Sequence, residues 1–271
     1  MNATPALFVD SHCHIPMLSL GGTEEGVRSV LRQAAENGVG HFLCVAVDIE
    51  SIPAVIRLAE THGNVFASVG IHPNTEPGLD ATTGQLLQFA RHPRVIAVGE
   101  TGLDYYRSQG DLEWQRDRFR RHIAVARQCS KPLVIHSRDA REDTLRILRE
   151  ERAEEVGGVM HCFTEDLDTA VRAMELGFHI SFSGIVTFRN ARDLQEVARA
   201  VPADRLLIET DCPYLAPVPC RGKENQPAYV RHVGEFMAAL RGVPAEVLAR
   251  QTTENFFRLF KAATRSEPAG A

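Results

Sequence analysis

Asp10-Ser11-His12-Cys13-His14 places two imidazoles two residues apart, directly behind the apolar run Leu7-Phe8-Val9. On an extended strand alternate side chains share a face, so His12 and His14 point together and Cys13 points away. Two imidazoles on one side of a strand end are half of a metal site. An isolated His-x-His pair is more often an ordinary surface or core feature. The chemistry depends on what the rest of the chain adds.

Further residues of ligand type follow apolar runs. His72 comes after Val65-Phe66-Ala67-Ser68-Val69, and Glu100 ends Val95-Ile96-Ala97-Val98-Gly99. His136 ends Leu133-Val134-Ile135, His161 follows Val159-Met160, and Asp211 follows Leu206-Leu207-Ile208. Four histidines (His12, His14, His136, His161) with Glu100 and Asp211 suffice for two divalent ions sharing a bridging carboxylate, the arrangement of two-metal hydrolases. Glu100 is the expected bridge, since its strand is roughly central among the donors. The alternative, a salt-bridged acid, leaves its burial poorly compensated beside neutral imidazoles. Asp211 is expected to bind one ion and accept a proton from the attacking water. Glu209, two residues earlier on the same face, is expected to orient a ligand from behind.

The elements that must position these residues alternate regularly. Eight candidate strands lie at 7–14, 41–47, 65–71, 95–100, 133–136, 158–162, 179–183 and 206–211. Amphipathic helical segments lie near 24–37, 51–62, 82–91, 112–129, 140–152, 166–176 and 190–200, with two more near 226–240 and 244–262. Val27, Val30, Leu31 and Ala34 illustrate the helical spacing. Eight βα units predict a (β/α)₈ TIM barrel, with a doubly wound open sheet as the competing layout. A barrel requires its site residues at strand C-termini, and six of the eight runs end that way.

The 271 residues, with 44% hydrophobic and 24% charged, suit one soluble domain with a core from about 7 to 262 and a short disordered tail. No apolar run is long enough for a bilayer, and no secretory signal is visible, so the expected location is the cytoplasm. Six cysteines without regular spacing are not a disulfide framework. Cys13 and Cys162, each beside a ligand candidate, are expected to face away from the pocket. The net charge of −5 excludes a general basic coating but leaves room for a locally positive cleft.

Taken together, Asp10-Ser11-His12-Cys13-His14, Gly70-Ile71-His72-Pro73, Gly99-Glu100-Thr101-Gly102-Leu103-Asp104-Tyr105, Pro132-Leu133-Val134-Ile135-His136-Ser137-Arg138, His161-Cys162-Phe163 and Glu209-Thr210-Asp211-Cys212-Pro213-Tyr214-Leu215 resemble the TatD family of metal-dependent deoxyribonucleases. The likeness runs in order from about residue 8 to 260. His161-Cys162-Phe163-Thr164-Glu165, the stretch from Phe182 to Asn190, and that from Arg221 to Pro227 are most similar to its YcfH-type branch. The resemblance implies a barrel of the amidohydrolase-like superfamily holding one to three divalent metals on His12, His14, Glu100, His136, His161 and Asp211. It also implies 3′→5′ exonuclease action on DNA, linked to repair and DNA breakdown. Two departures stand out: Pro16 where the family often has an aspartate, and Glu100 where the superfamily often has a carboxylated lysine.

Substrate contacts stay open between readings. Arg138 could pair with a phosphate or form a rim salt bridge with Asp104 or Asp139. His72 could bind phosphate or belong to a His-Pro turn. Arg221 and Lys223 are candidate backbone-phosphate contacts. Tyr105, Tyr106 and Tyr214 could stack on a base or simply pack. Arg116, Arg118, Arg120 and Arg121 read as a solvated helix face. The expectation is a monomer with two ions (Zn²⁺, Mg²⁺ or Mn²⁺) acting on DNA, with no membrane and no obligate protein partner. The rivals are a small-molecule amidohydrolase or esterase and a non-enzymatic scaffold.

Overall fold

The computed structural model describes residues 8–265. The expected disordered tail falls mainly on residues 266–271, outside the described part. Eight strands, β1 (Phe8–Cys13), β2 (Val39–Val45), β3 (Val65–Val69), β4 (Val95–Asp104), β5 (Leu133–Arg138), β6 (Gly158–Met160), β7 (Phe178–Phe182) and β8 (Leu206–Ile208), form one parallel sheet in sequence order. Seven helices alternate with them: α1 (Glu24–Glu36), α2 (Ile52–Thr61), α3 (Thr83–Ala90), α4 (Glu113–Cys129), α5 (Arg141–Glu150), α6 (Leu167–Glu175) and α7 (Arg192–Ala200). Then α8 (Val230–Arg241) and α9 (Ala245–Leu259) follow β8. The expected (β/α)₈ barrel is the fold; the open sheet is not.

The strands are short and rich in Val, Ile, Leu and Phe because both their faces are covered, one by helices and one by the barrel interior. Val9, Leu43, Val45, Phe66, Ile96, Val134, Val159 and Leu207 fill the interior. Phe256 of α9 and Phe260, just past its end, join them, closing the end opposite the site. A second, larger apolar layer lies between the strands and the helices. Local signals place the helix starts: Thr23 accepts the Gly26 N–H at α1, and Thr82 and Gln85 form a capping box at α3.

Closure occurs at the chemically interesting end. The Asp211 N–H donates to the His12 carbonyl at 2.9 Å, and the His14 N–H donates to the Cys212 carbonyl at 3.0 Å. These bonds lock the first and last strand ends together and place three candidate ligands side by side.

Several strand ends differ from expectation, β8 for one stopping at Ile208 rather than near 211, and two of the shifts bear directly on the site. β4 does not stop at Glu100 but runs on to Asp104, passing Gly102. A Cβ at Gly102, whose φ is 138°, would collide with the His136 carbonyl. That glycine lets β4 and β5 stay paired past Glu100. β6 ends at Met160, so His161 and Cys162 belong to the following turn, and Cys162 takes a φ of 43°.

Candidate metal centre

The donors converge at the barrel mouth. His12 and His14 leave β1 on one face, their Nε2 atoms 3.1 Å apart. The His14 Nδ1–H donates to the Val45 carbonyl at 2.9 Å, so Nε2 is the nitrogen that a metal ion would take in place of a proton. Asp211 sits just beyond β8 in the left-handed region, at φ 57°. Its Oδ1 is 3.4 Å from His14 Nε2 and 3.6 Å from His12 Nε2.

Glu100 divides the remaining donors between its two oxygens. Oε2 faces β1, 3.4 Å from His12 Nε2 and 3.8 Å from His14 Nε2. Oε1 faces the other side, 2.8 Å from His161 Nε2, 3.0 Å from His136 Nδ1 and 3.3 Å from His72 Nε2. This is the geometry of a bridging carboxylate. Gly99 makes it possible: at φ 143°, a Cβ there would strike the Val134 carbonyl.

His161 is backed by Glu209, whose Oε1 lies 3.1 Å from Nδ1 and also accepts the Cys162 N–H at 2.7 Å. Glu209 is fully buried, on the side of the His161 ring away from Glu100.

Burial pushes Glu100 toward protonation, but the surrounding imidazoles, led by His161 and His72, hold it well below the usual carboxylate range. Asp211 is likewise kept low, by His14 and His12 against its burial. Burial depresses His14, yet the Asp211 carboxylate, with Glu100, more than reverses this and raises it to about 9. Burial also opposes the charge on His161, and Glu100 and Glu209 override it, raising that imidazole well above its ordinary value. Two ionised carboxylates ringed by imidazoles form an environment that favours positive charge.

The donor set fits divalent ions. His12, His14 and Asp211 bring one ligand atom each within 4.8 Å of one another; so do His12, Glu100 and His161, and also His72, Glu100 and His136. His161 Nε2 is buried and has no aligned hydrogen-bond partner, although Glu100 is close. A buried ring nitrogen without an aligned partner, where an ion can replace its proton, fits a metal ligand. Imidazole with carboxylate suits zinc, and the carboxylates also admit magnesium or manganese.

A cavity of about 660 Å³ opens over the centre, lined by His14, His72, Glu100, Asp104, His136, Arg138, His161, Asp211 and Tyr214 among others. Arg138 pairs with neither Asp104 nor Asp139; its guanidinium lies 3.9 Å from the centroid of the Tyr106 ring. Arg221 stacks over Phe188 at 3.8 Å, and neither Arg221 nor Lys223 lines the cavity. Tyr105 is a packing residue whose hydroxyl donates to Asp143.

Three assignments need correction. Cys162 lines the cavity instead of facing away, because β6 ends before it and strand alternation no longer applies. It belongs to none of the clusters that could hold an ion among the described residues. Arg118 is not on a solvated face but fully buried, paired with Asp80 and donating to the carbonyls of His72, Pro73, Thr75 and Glu76. It holds the loop that carries His72. Finally, sequence reasoning treated Asp104 only as a rim partner for Arg138. It is buried, accepts from Asn74 and from the Tyr106 and Arg107 amides, and lies 3.2 Å from His136 Nε2.

A parallel eight-stranded barrel with a histidine–carboxylate centre at its C-terminal mouth is the architecture of a metal-dependent hydrolase. Within that class the chain belongs to the TatD family, since residues 9–261 match the family model described as TatD related DNase. It is 51% identical over 253 residues to "Uncharacterized metal-dependent hydrolase YcfH" of Escherichia coli K12, covering 93% of this chain and 95% of that one. Bacillus subtilis YabD, also named an uncharacterized metal-dependent hydrolase, is 40% identical over 258 residues, covering 94% and 99%. The crystal structure of YjjV, a TatD homologue from Escherichia coli K12, superposes with a TM-score of 0.86 at 30% identity, covering 94% of this chain and 98% of that one. Among the described residues, no helix is long and apolar enough to cross a membrane.

Proposed function

We propose that this chain hydrolyses phosphodiester bonds in DNA, as an exonuclease working from a 3′ end with two divalent cations at the barrel mouth. The observation that carries the reading is the split of Glu100, with Oε2 toward the β1 histidines and Oε1 toward His136 and His161. His12, His14, Asp211 and Glu100 Oε2 would hold one ion; Glu100 Oε1, His136 and His161 would hold the other. When bound, such ions acidify water and offset the charge that builds on the phosphate oxygens.

The protein's own groups supply the rest. Asp211 borders the cavity and is kept ionised at neutral pH, so it can accept the proton of the attacking water. Arg138, at the same mouth, can pair with a non-bridging phosphate oxygen while its other face rests on Tyr106. Tyr214 is exposed at the cavity edge and offers a ring on which a base can stack. Arg221 and Lys223, outside the cavity, would meet flanking phosphates. The polarity comes from the family resemblance. Protein loaded with Mg²⁺, Mn²⁺ or Zn²⁺ should shorten a 5′-labelled oligonucleotide stepwise from its 3′ end, and Glu100→Ala should abolish this. Intact DNA under all three metals would refute the assignment.

A second reading, hydrolysis of a small ester or amide, draws on the cavity itself. About 660 Å³ lies within the range of small-molecule pockets. A panel of esters, lactones, amides and phosphodiesters separates the two by which substrate class gives the higher kcat/KM.

A further inference from the structure

His72 and His136 stand side by side, ring centroids 4.6 Å apart, each with one nitrogen toward Glu100 Oε1. With Glu100 they make a cluster that, on distance alone, could hold an ion of its own. The hydrogen bonds on the far sides of the two rings differ in kind, and that difference assigns them different work.

Behind His72, the main-chain N–H of Asn74 donates to Nδ1 at 3.0 Å. An amide N–H can only donate there, so Nδ1 carries a lone pair and a neutral ring must carry its proton on Nε2. Behind His136, the acceptor is the Asp104 carboxylate, 3.2 Å from Nε2. An ionised carboxylate can only accept, so Nε2 carries the proton and the lone pair is on Nδ1, 3.0 Å from Glu100 Oε1. Asn74 joins the two arrangements. Its side-chain Nδ2 donates to Asp104 Oδ2 at 2.8 Å, while Asp104 Oδ1 is fixed by the amides of Tyr106 and Arg107 at 3.1 and 2.9 Å. The loop is anchored in turn by Arg118 on the His72 and Thr75 carbonyls and by His122 Nε2, which accepts the Ile71 N–H at 3.0 Å.

We propose that Asn74 and Asp104 impose opposite roles on the two imidazoles: His136 is a metal ligand through Nδ1, and His72 is an N–H donor to an anionic oxygen of the substrate, not a ligand to a third ion. Asp104 and Asn74 are positioning residues. His72 borders the cavity with its Nε2 3.3 Å from Glu100 Oε1; with that carboxylate engaged by the ions, the N–H is free for a phosphodiester's non-bridging oxygen. This rests on the metal-centre reading and names what its neighbouring histidine does.

The test uses the full chain, labelled with ¹⁵N-histidine and loaded with ¹¹³Cd²⁺, read by long-range ¹H–¹⁵N NMR. His72→Gln and His136→Gln assign the signals. The expected spectrum shows both rings protonated on Nε2, with cadmium coupling at His136 Nδ1 and none at His72. In parallel, chelator competition should show cadmium affinity lowered roughly 10–100-fold in Asp104→Asn and Asn74→Ala, and unchanged in His72→Gln. Asn74→Ala leaves the main-chain amide on His72 in place, so it isolates the link to Asp104. Cadmium coupling to His72 Nε2, or a proton on its Nδ1, would overturn the proposal while leaving the metal centre standing. A chain that takes up no cadmium would remove the metal-centre reading and this proposal with it.

Discussion

Glu209 Oε1 lies 3.1 Å from His161 Nδ1, inside a fully buried environment, and thereby turns the opposite nitrogen of that ring toward Glu100. The same oxygen takes the Cys162 N–H, so the carboxylate is itself held in place. An imidazole whose rear nitrogen donates to a fixed carboxylate is a better-aimed and more basic ligand. Glu209→Gln should therefore weaken metal binding roughly 10–100-fold, with the ion on the His161 side lost first. Equilibrium dialysis with elemental analysis checks this; two tightly held ions in the variant would argue against the role.

Arg118 should matter to stability far more than its neighbours on α4. Its guanidinium is fully buried, pairs with Asp80 and serves four loop carbonyls. Removing one partner of a buried pair costs about 3–5 kcal/mol, because the groups left behind lose their partner. Arg118→Ala should lower the unfolding free energy from denaturant titration by an amount in that range, and Arg118→Lys should recover only part of it, since an ammonium cannot fork across several carbonyls. Arg120→Ala, on a partly exposed surface pair, should cost under about 1 kcal/mol.

His122 makes a pH prediction with a definite sign. Burial lowers its pKa from 6.5 to about 4, and its Nε2 must stay unprotonated to accept the Ile71 N–H. The unfolded chain binds the proton more readily, so this contribution is fully present above about pH 6.5. It declines as pH falls from about 6.5 to about 4, then levels off. The loss is on the order of 3 kcal/mol. Denaturant unfolding of wild type and His122→Gln across that window should converge toward low pH; parallel curves would contradict the assignment.

Arg138 tests the substrate contact. Loss of one charge-assisted hydrogen bond is worth roughly 1.5–3 kcal/mol, so Arg138→Ala should lower kcat/KM on DNA by about 10–100-fold with metal content unchanged. Arg138→Lys should stay impaired, because it gives up both the planar fork and the stack on Tyr106. An unaffected kcat/KM would place the phosphate contact elsewhere.

The convergence of the candidate ligands was legible because a barrel gathers the residues that follow its apolar runs at one mouth, and His12, His14, Glu100, His136, His161 and Asp211 all follow such runs. Asp104 was not. Gly102 interrupts the apolar pattern, so β4 reads as finished at Glu100, although the missing Cβ is what lets the strand continue beside His136. Arg118 was hidden in a run of like charges: composition marks the helix as polar but does not reveal which arginine faces inward. Cys162 was misplaced by one assumption, that β6 extends two residues further than it does.

The sharpest test of the centre is anomalous diffraction from crystals soaked in Zn²⁺. Two ions are expected, one among His12, His14, Asp211 and Glu100 Oε2, the other among Glu100 Oε1, His136 and His161, with the second absent in Glu100→Ala. Density for no ion, or for ions that ignore Glu100, would contradict the shared carboxylate on which the proposed chemistry rests.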